Sequence, residues 1–444
     1  MLRLNYLLLD LGWRFGQRLL RRVTPAGLLA LAALVLAGAA GIDTELTLAY
    51  QLFGYAGGLL LVGWLASWRL GGRYTVEREL PALASVGEPL RYRVTVRNDS
   101  ARPRAGLAVI EELADPRPGR AEFARGLRGA ARYSLLLAAR HWQQLVRQRL
   151  PLAADARPLP PLPAAGSATL GIEFVPERRG SVEFARTWLA RREPLGLFRA
   201  LRALPSRQSL LVLPQRYPVP ELALPGHRVY QHGGVTFATS VGDSEEFVGL
   251  RDYRPGDPLQ HVHWKSFARA GRPVVKEYQD EFFERHALVL DTCSEDPGAQ
   301  FEEAVSVAAS FACTLDTQEC LLDLLFVGAR SYCFTAGRGH LHAQGLLEIL
   351  AHVQPARARD LELLGATLAE HRQRLSGCIL VLLGWDAARQ RLVRELRATG
   401  LETLVLVVAA AGAVPPPAEP GLAWLQAGRV AEGLAGLHGQ GVAG

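Results

Sequence analysis

Two long apolar stretches near the start of the chain are the strongest feature of its hydrophobic pattern. Residues 23–42 and 46–68 carry no charged side chain, and each has about the 20 residues needed to cross a bilayer core. Only Asp43, Thr44 and Glu45 separate the two stretches. We therefore expect a tight hairpin of two transmembrane helices.

Arginines flank this apolar pair on its outer sides. They are Arg14, Arg18, Arg21 and Arg22 before the first stretch, and Arg69, Arg73 and Arg78 after the second. Because positively charged flanks stay inside, the segment 1–22, both termini and the soluble domains are predicted to be cytoplasmic. A cleaved signal peptide is the alternative, but the first stretch is long, starts late and is followed at once by the second.

Residues 74–214 show the two-residue alternation of half-buried β-strands. In residues 90–97, apolar or bulky side chains occupy one parity and arginines occur in the other. Further strands are expected at 107–113, 168–175, 181–189 and 209–213, which together indicate a β-sandwich. A helical insertion at about 123–163 interrupts the strands. Its basic amphipathic helix, at 123–150, either packs against the sandwich or lies on the membrane surface.

Beyond residue 286 the pattern changes to an alternation of strands and helices. Strands are expected at 287–291, 321–327, 331–334, 377–383 and 402–408, and helices at 301–315, 343–353, 360–374 and 387–399. This alternation predicts a three-layer, Rossmann-like α/β domain over 286–410, built on a parallel sheet. Residues 411–444 are rich in proline, glycine and alanine, and we expect them to form a tail.

The composition argues against several classes of protein. Lysine and arginine number 50 against 43 acids, a net charge of +7, but the excess is spread along the chain, unlike a nucleic-acid groove. The five cysteines form no CxxC pair, which indicates thiols in a reducing compartment rather than disulfides or a zinc site. The sequence has no Walker loop, Rossmann glycine fingerprint, GxSxG or HExxH motif, so we expect no cofactor and no enzyme.

Two segments are more specific than the rest of the sequence. The first has Arg178-Arg179-Gly180 and then Arg-Glu-Pro-Leu-Gly-Leu-Phe at 192–198. The second lies within 215–285, which we expect to link the sandwich to the last domain. Its signature residues are Glu246, Phe247, Arg251, Asp252, Tyr253, Gly256, Asp257, His263, Trp264, Lys265, Arg269 and Lys276.

Both segments resemble motifs of the bacterial family called domain of unknown function 58, and the resemblance extends over about residues 20–410. Glu193 stands where the family usually has aspartate, and Gln260 stands where it often has arginine. The resemblance implies an inner-membrane protein whose last domain is von Willebrand factor type A-like. It also implies a MoxR-type AAA ATPase as partner, in the assembly of complexes at the cell envelope.

Active type A domains hold a divalent metal with an Asp-x-Ser-x-Ser loop, because hard oxygen ligands suit such ions. Here the loop reads Asp291-Thr-Cys293-Ser294-Glu295, so cysteine and glutamate replace the two serines and we expect no working metal site. Asp291, Ser294, Glu295 and Asp386 remain available as oxygen donors. Otherwise Asp291 is expected to cap a nearby helix N-terminus.

The signature residues allow two interpretations. Their charges nearly balance, so an ion-pair network could clamp the sandwich to the next domain without a cofactor. Alternatively, their aromatic and arginine side chains form a partner-binding surface. His261 and His263 alternate as on one face of a strand, but no third ligand lies nearby in the sequence, which argues against a metal site.

These observations predict a non-catalytic, membrane-anchored adaptor or scaffold. Its expected partners are the membrane, the ATPase and other envelope proteins, and not nucleic acid. Two alternatives remain. One is a metal-dependent ligand-binding protein of the type A class, and the other is an uncharacterised hydrolase that uses the motif from Arg251 to Lys276.

Overall fold

The structure is a computed structural model of the 444-residue chain, and it combines helices with β-sheets. It divides into two compact units, Met1–Leu213 and Pro214–Gly444. The residues that it describes are 2–40, 47–68, 70–120, 123–124, 127, 134–147, 156–220, 246–255, 257, 259, 262–279, 284–294, 298–314, 320–328, 331–336, 340–356, 361–417 and 419–439.

Three helices open the first unit: α1 (Leu2–Arg22), α2 (Pro25–Ala40) and α3 (Thr47–Ala66). The two apolar stretches of the sequence form α2 and α3, and these helices pack against each other. At 1.5 Å per residue, α2 is about 24 Å long and α3 about 30 Å. In the described part of the chain, one helix is long and apolar enough to cross a membrane, over Ala49–Ala66. The acidic turn expected at 43–45 lies outside the described residues.

The strands of the first unit form two sheets around a common core. They are β1 (Tyr74–Glu79), β2 (Leu83–Ser85), β3 (Leu90–Asn98), β4 (Leu107–Leu113), β5 (Arg157–Pro158), β6 (Ser167–Phe174), β7 (Gly180–Arg192) and β8 (Arg199–Leu213). One sheet has the order β1-β3-β6 and the other β2-β8-β7-β4-β5. Strand β3 shows how the sequence alternation gives each sheet one buried face. Its even-numbered apolar residues are buried, and its arginines are exposed on the opposite face. All five predicted strands are confirmed, and inward residues of both sheets meet in the core.

The inserted helix is α4 (Leu135–Arg147), and it packs on α1. Trp142 and the buried Phe123 surround the ring of Tyr6, with centroid distances of 5.5 and 5.6 Å. The sequence placed this helix against the sandwich or on the membrane surface, and it missed α1 altogether. Helix α4 instead buries its apolar side against α1, because the apolar residues of the two helices form one cluster.

The second unit begins with a hairpin and continues as an α/β domain. Its elements are β9 (Glu246–Asp252), α5 (Trp264–Ala270), β10 (Val274–Gln279), β11 (Glu284–Leu290), α6 (Ala299–Thr314), β12 (Cys320–Val327), β13 (Ser331–Ala336), α7 (His340–His352), α8 (Leu361–His371), β14 (Gly377–Leu383), α9 (Ala387–Ala398), β15 (Thr403–Ala409), β16 (Leu422–Gln426) and α10 (Val430–Ala435). Every strand and helix predicted for 286–410 has its counterpart here, with boundaries that shift by a few residues.

The six strands β11–β16 form one sheet in the order β13-β12-β11-β14-β15-β16. Neighbours are parallel except β12 and β13, which are antiparallel. Helices α8 and α9 share a core with alternate residues of the central strands, while α6 packs on β11, β14 and β15 outside that core. The sheet is thus covered on both faces, which is why strands such as β14 and β15 are apolar throughout.

The expectation of a plain tail at 411–444 is wrong. Residues Leu422–Gln426 form the last strand of the sheet, in parallel register with β15, and Val430 and Leu434 of α10 are buried. The strand is only five residues long, with four apolar residues, and it follows a proline-rich stretch, so the composition of the segment concealed it. Gly421, whose φ is +69°, allows the chain to turn into the strand.

Candidate functional site

The signature residues are carried by the β9–α5–β10 hairpin. Strands β9 and β10 are antiparallel, with Arg251 opposite Val275 and Asp252 opposite Val274. The backbone N–H of His263 donates to the Val274 carbonyl at 2.8 Å, which fixes the start of α5 against β10. Val262, Val274 and Val275 are buried beneath this connection. The hairpin is therefore a small folded element with its own apolar side.

A bidentate ion pair closes the loop between β9 and α5. Arg251 donates from Nη1 and Nη2 to the two carboxylate oxygens of Asp257, at 2.7 and 2.8 Å. The N–H of Arg254 also donates to Asp257, at 2.8 Å. The hydrogen bonds from Arg251, together with the one from Arg254, lower the pKa of Asp257 to about 2. The family often has an arginine at position 260, where this chain has glutamine. Asp257 forms its ion pair with Arg251 instead.

Nη1 of Arg251 also donates to the backbone carbonyl of Asp252, at 3.3 Å. Asp252 pairs with Arg272 at 3.1 Å, an exposed pair whose arginine the sequence analysis did not single out. Tyr253 is half-buried, and its N–H donates to the carbonyl of Pro273. Lys276 is half-buried on β10, opposite Leu250. Glu246 and Phe247 begin β9, opposite Gln279 and Tyr278 in the ladder, while Gly256, Gln260 and His261 lie outside the described residues.

Helix α5 displays two aromatic side chains. Trp264 is 64% exposed and Phe267 is 38% exposed, and their rings meet edge to face with centroids 6.1 Å apart. Lys265 and Arg269 are exposed on the same helix. We call these four residues the α5 surface. The sequence left open whether Trp264 lies in an ion-pair network or on a partner-binding surface, and in the structure its side chain is exposed.

His263 precedes α5 and has a local partner. Its Nδ1 lies 2.7 Å from Oγ of Ser266, three residues later, at the first turn of the helix. This contact gives His263 a structural role at the helix start. Sequence reasoning did not single out Ser266.

The first specific segment forms a turn in the other unit, and this turn is built around a buried acid. Glu193 is 6% exposed, and its carboxylate accepts hydrogen bonds from the N–H groups of Leu195, Leu197 and Phe198. The glutamate at this position is thus fully used in folding the turn. We call residues 193–198 the helix-base turn.

The helix-base turn holds the start of α2. Thr24 accepts from the N–H of Gly27 at 3.1 Å as the N-cap residue, and its hydroxyl donates to the carbonyl of Gly196 at 2.6 Å. Gly27 is required, because a Cβ there would lie 2.1 Å from the carbonyl oxygen of Leu197. Phe198 packs with Val23 and with Leu60 of α3. The turn therefore ties both apolar helices to the β-sheet that follows.

The loop after β11 is closed by an arginine. Asp291 is fully buried, and it accepts from the N–H groups of Cys293 and Leu383 at 2.9 and 3.0 Å. Nε of Arg389 donates to Asp291 at 2.6 Å, and Nη2 donates to the carbonyl oxygen of Cys293 at 2.8 Å. Burial opposes the charge of Arg389, but Asp291 and Asp386 outweigh it and raise the pKa of Arg389.

The cap expected at Asp291 is corrected by this geometry. Asp386, not Asp291, caps α9, by accepting from the N–H of Arg389 at 2.9 Å. The other carboxylate oxygen of Asp386 receives Nη1 of the same arginine. Glu295 lies outside the described residues. Within the residues that are described, no group of three or more His, Cys, Asp or Glu side chains is placed to hold a metal ion.

Comparisons with solved structures give only weak likenesses. The CARDB domain of a Pyrococcus furiosus protein, in complex with di-metal ions, matches at 12% identity with a TM-score of 0.18. That match covers 33% of this chain and 92% of the other. A β-glucosidase from Listeria innocua matches at 13% identity with a TM-score of 0.16, covering 32% of this chain and 16% of the enzyme. Likenesses of this size carry no argument about function.

Comparisons of sequence are more informative. The uncharacterized protein YeaD of Bacillus subtilis is 26% identical over 189 residues, which make up 42% of this chain and 46% of YeaD. The match thus spans under half of that relative. Residues 249–413 match the family model described as "Protein of unknown function DUF58", and they include the hairpin from Gly249 onward, the Asp291 loop and most of the sheet. The resemblance seen in the sequence is therefore confirmed over residues 249–413, which are similar to the domain of unknown function 58 family.

Proposed function

We propose that this chain is a non-catalytic, membrane-anchored adaptor that binds a MoxR-type AAA ATPase through the α5 surface. In this proposal it resides in the bacterial inner membrane with both termini and its soluble parts in the cytoplasm. It brings the ATPase to protein complexes that assemble or mature at the envelope.

The observation that carries the proposal is the exposure of Trp264 and Phe267. Tryptophan dominates protein interfaces when it fills a pocket on the partner, and it gains little from remaining in water. Lys265 and Arg269 on the same helix suit a partner with an acidic rim around an apolar pocket. Arg251 and Asp257 hold the loop that precedes this helix, so they support the surface rather than form it.

The apolar helices α2 and α3 support the anchor. They pack together, arginines flank the pair on both outer sides, and α3 has the length of a bilayer core. Helix α2 has 16 helical residues, and we propose that it pairs with α3 as the other crossing of a membrane hairpin. We also propose that the second unit contains a von Willebrand factor type A-like domain. Its doubly wound strand order, with one antiparallel edge strand, supports this assignment.

A purified MoxR-type ATPase tests the adaptor directly. Its affinity for the detergent-solubilised chain is measured for the wild type, for Trp264→Ala/Phe267→Ala, and for Leu363→Ala. Leu363 is 43% exposed on α8 and serves as the matched control. Loss of an interface hot spot costs about 2 kcal/mol or more, so the double variant should bind about 30-fold more weakly or worse. Equal affinities, or no binding by the wild type, would contradict the proposal.

The metal-dependent alternative depends on the Asp291 loop. Arg389 already neutralises Asp291 and Asp386 and donates to the Cys293 carbonyl, so a cation would have to displace a guanidinium. Titration calorimetry with Mg²⁺ and Mn²⁺ should therefore give only heat of dilution. Binding heat in the wild type that disappears in Asp291→Ala would favour the metal-dependent protein instead.

The hydrolase alternative has one observation in its favour, the contact between His263 and Ser266. A histidine beside a serine hydroxyl is the start of a nucleophile–base pair, although activation also needs a third group that orients the histidine. A screen with ester, peptide and phosphoester substrates separates the cases. Hydrolysis that Ser266→Ala abolishes would support the hydrolase, whereas the adaptor predicts none.

A further inference from the structure

Helix α1 has two apolar sides, and within the described part of the chain only one of them is packed against other residues. Leu2, Tyr6, Leu9 and Trp13 pack against the cluster formed by α4 and Phe123. This side accounts for the position of α1 in the first unit.

The opposite side of α1 is an uncovered apolar stripe. At 3.6 residues per turn, positions 4, 7, 8, 11 and 15 fall on one side of a helix. All five carry large hydrophobic side chains, with exposures between 48% and 69%: Leu4, Leu7, Leu8, Leu11 and Phe15. We call these five residues the α1 stripe. Single apolar residues scattered over a surface are common in proteins, whereas a contiguous apolar stripe of this kind marks an interaction site.

The charges of α1 are almost all positive. Residues 2–22 contain five arginines and one acid. The acid, Asp10, is buried and pairs with Arg14 at 3.0 Å and with Arg117. Arg3 and Arg22 are exposed near the two ends of the helix. The stripe is therefore bordered by cationic side chains and faces no exposed carboxylate of its own helix.

The position of α1 in the chain relates the stripe to the apolar helices. Only Val23 and Thr24 separate the end of α1 from the start of α2. Leu19, in the last turn of α1, packs with Val23 and Phe198 at the base of α2 and α3. If α2 enters a bilayer, the adjoining turn of α1 lies at the level of the lipid headgroups.

We propose that α1 lies in the headgroup region of an anionic bilayer, with the α1 stripe inserted among the upper acyl carbons and the arginines among phosphates. This proposal rests on the proposed membrane anchor. Amphipathic helices with basic residues beside an apolar face bind such surfaces, typically at a depth of about 5–10 Å. A bilayer suits the stripe better than a second copy of the chain, because two copies would bring their arginine-rich sides together.

Site-directed spin labels test the depth of the stripe. The full chain, with its five native cysteines replaced by alanine, receives a single cysteine at Leu11, at Val62 or at Leu363. Val62 is 57% exposed on α3 and reports the proposed bilayer core, while Leu363 is 43% exposed on α8 and reports water. Each variant is reconstituted into vesicles of phosphatidylcholine and phosphatidylglycerol. Collisions of the label with oxygen and with a soluble nickel chelate are then compared.

The proposal predicts that the oxygen-to-nickel collision ratio rises from position 363 to position 11 and again to position 62. A label at position 11 that matches position 363, with position 62 in lipid, overturns the α1 inference and leaves the anchor intact. A label at position 62 that matches position 363 overturns the anchor instead. A label at position 11 that is shielded from both reagents and couples to a second copy means a dimer contact, and it also overturns the inference.

A second measurement avoids the cysteine replacements. A photoreactive benzoylphenylalanine is introduced at Leu11, at Val62 or at Leu363 in the otherwise unchanged chain, which is reconstituted in the same vesicles. Irradiation should attach phospholipid to the protein at position 11 and not at position 363, as read by mass spectrometry of the peptides. Absence of a lipid adduct at position 11, with an adduct at position 62 as positive control, would contradict the inference.

Discussion

The two segments that carry the family resemblance are placed in opposite environments. In the helix-base turn, Glu193 is buried and three backbone N–H groups donate to its carboxylate, while Phe198 packs between apolar helices. In the signature hairpin, Trp264 is 64% exposed, and the nearby ion pair of Arg251 and Asp257 is partly accessible. One segment is used to fold the protein, and the other is displayed to solvent.

This difference teaches that a specific motif is not by itself a site. The helix-base turn contains an acid, a proline and a glycine, which are residue types also found in functional loops. The carboxylate of Glu193 already accepts from three backbone N–H groups of the turn, and the carbonyls of Gly196 and Leu197 accept from Thr24, so these groups are occupied within the protein. The signature hairpin keeps exposed aromatic and basic side chains, which is what a partner requires.

The largest effect is expected for Glu193→Ala. The substitution leaves the N–H groups of Leu195, Leu197 and Phe198 without their acceptor, and we expect a loss of about 3 kcal/mol of unfolding free energy. Thermal melts in mild detergent measure the loss. Glu173→Ala is the control, because Glu173 is 50% exposed and pairs with an exposed arginine, so little should change. Equal melting temperatures for the two variants would show that the hydrogen bonds of Glu193 in the helix-base turn do not stabilise the fold.

A somewhat smaller effect is expected for Gly27→Ala. The added methyl group collides with the carbonyl oxygen of Leu197 and pushes α2 away from the helix-base turn, at a cost of about 2 kcal/mol. Gly58→Ala in α3 is the control, since a Cβ at that position meets no atom within 4 Å. The melting temperature should fall for the first variant and stay or rise slightly for the second. A neutral Gly27→Ala would mean that α2 does not approach the turn so closely.

The ion pair of the hairpin should respond to acid. The pKa of Asp257 in the folded chain, about 2, lies below its ordinary value of 3.8. The pair therefore stabilises the hairpin above about pH 4, and that contribution is lost as the pH falls through about 2. Carboxyl carbon NMR of chain labelled at aspartate should show this low pKa, and Arg251→Gln should return it toward 3.8. If the pKa of Asp257 did not change in Arg251→Gln, the ion pair with Arg251 would not be its cause.

The smallest effect on stability is expected for the α5 surface. Trp264→Ala and Lys265→Ala change exposed side chains, so each should alter the unfolding free energy by no more than about 0.5 kcal/mol. Chemical denaturation followed by far-ultraviolet circular dichroism measures this. A loss as large as that of Glu193→Ala would place Trp264 in a structural role and erase the contrast between the two segments.

The sequence predicted much of the fold, because periodicity reports burial. The alternation at 90–97 and the apolar runs at 377–383 and 402–408 correspond closely to β3, β14 and β15. Helix α1 was missed because its arginines and leucines give two apolar sides, which a single-stripe pattern does not describe. Strand β16 was missed because four apolar residues after a proline-rich stretch give too short a signal.

The candidate site was less predictable, since contacts between distant residues leave no local pattern. Arg389 lies 98 positions from Asp291, and nothing in the spacing indicates that its guanidinium fills the loop. The bidentate pair of Arg251 and Asp257 is only six residues apart, yet sequence alone offered several acids as partners. The exposure of Trp264 could not be predicted either, because a tryptophan between His263 and Lys265 is compatible with a buried or an exposed position.

The most direct test compares the two segments within the embedded protein. Benzoylphenylalanine replaces either Phe267 in α5 or Leu195 in the helix-base turn, two side chains that are 38% and 45% exposed. Each membrane preparation is irradiated with the MoxR-type ATPase. If the chain binds the ATPase through the α5 surface, an adduct of the ATPase forms from position 267 and none forms from position 195. No adduct from position 267, or equal adducts from both positions, would contradict it.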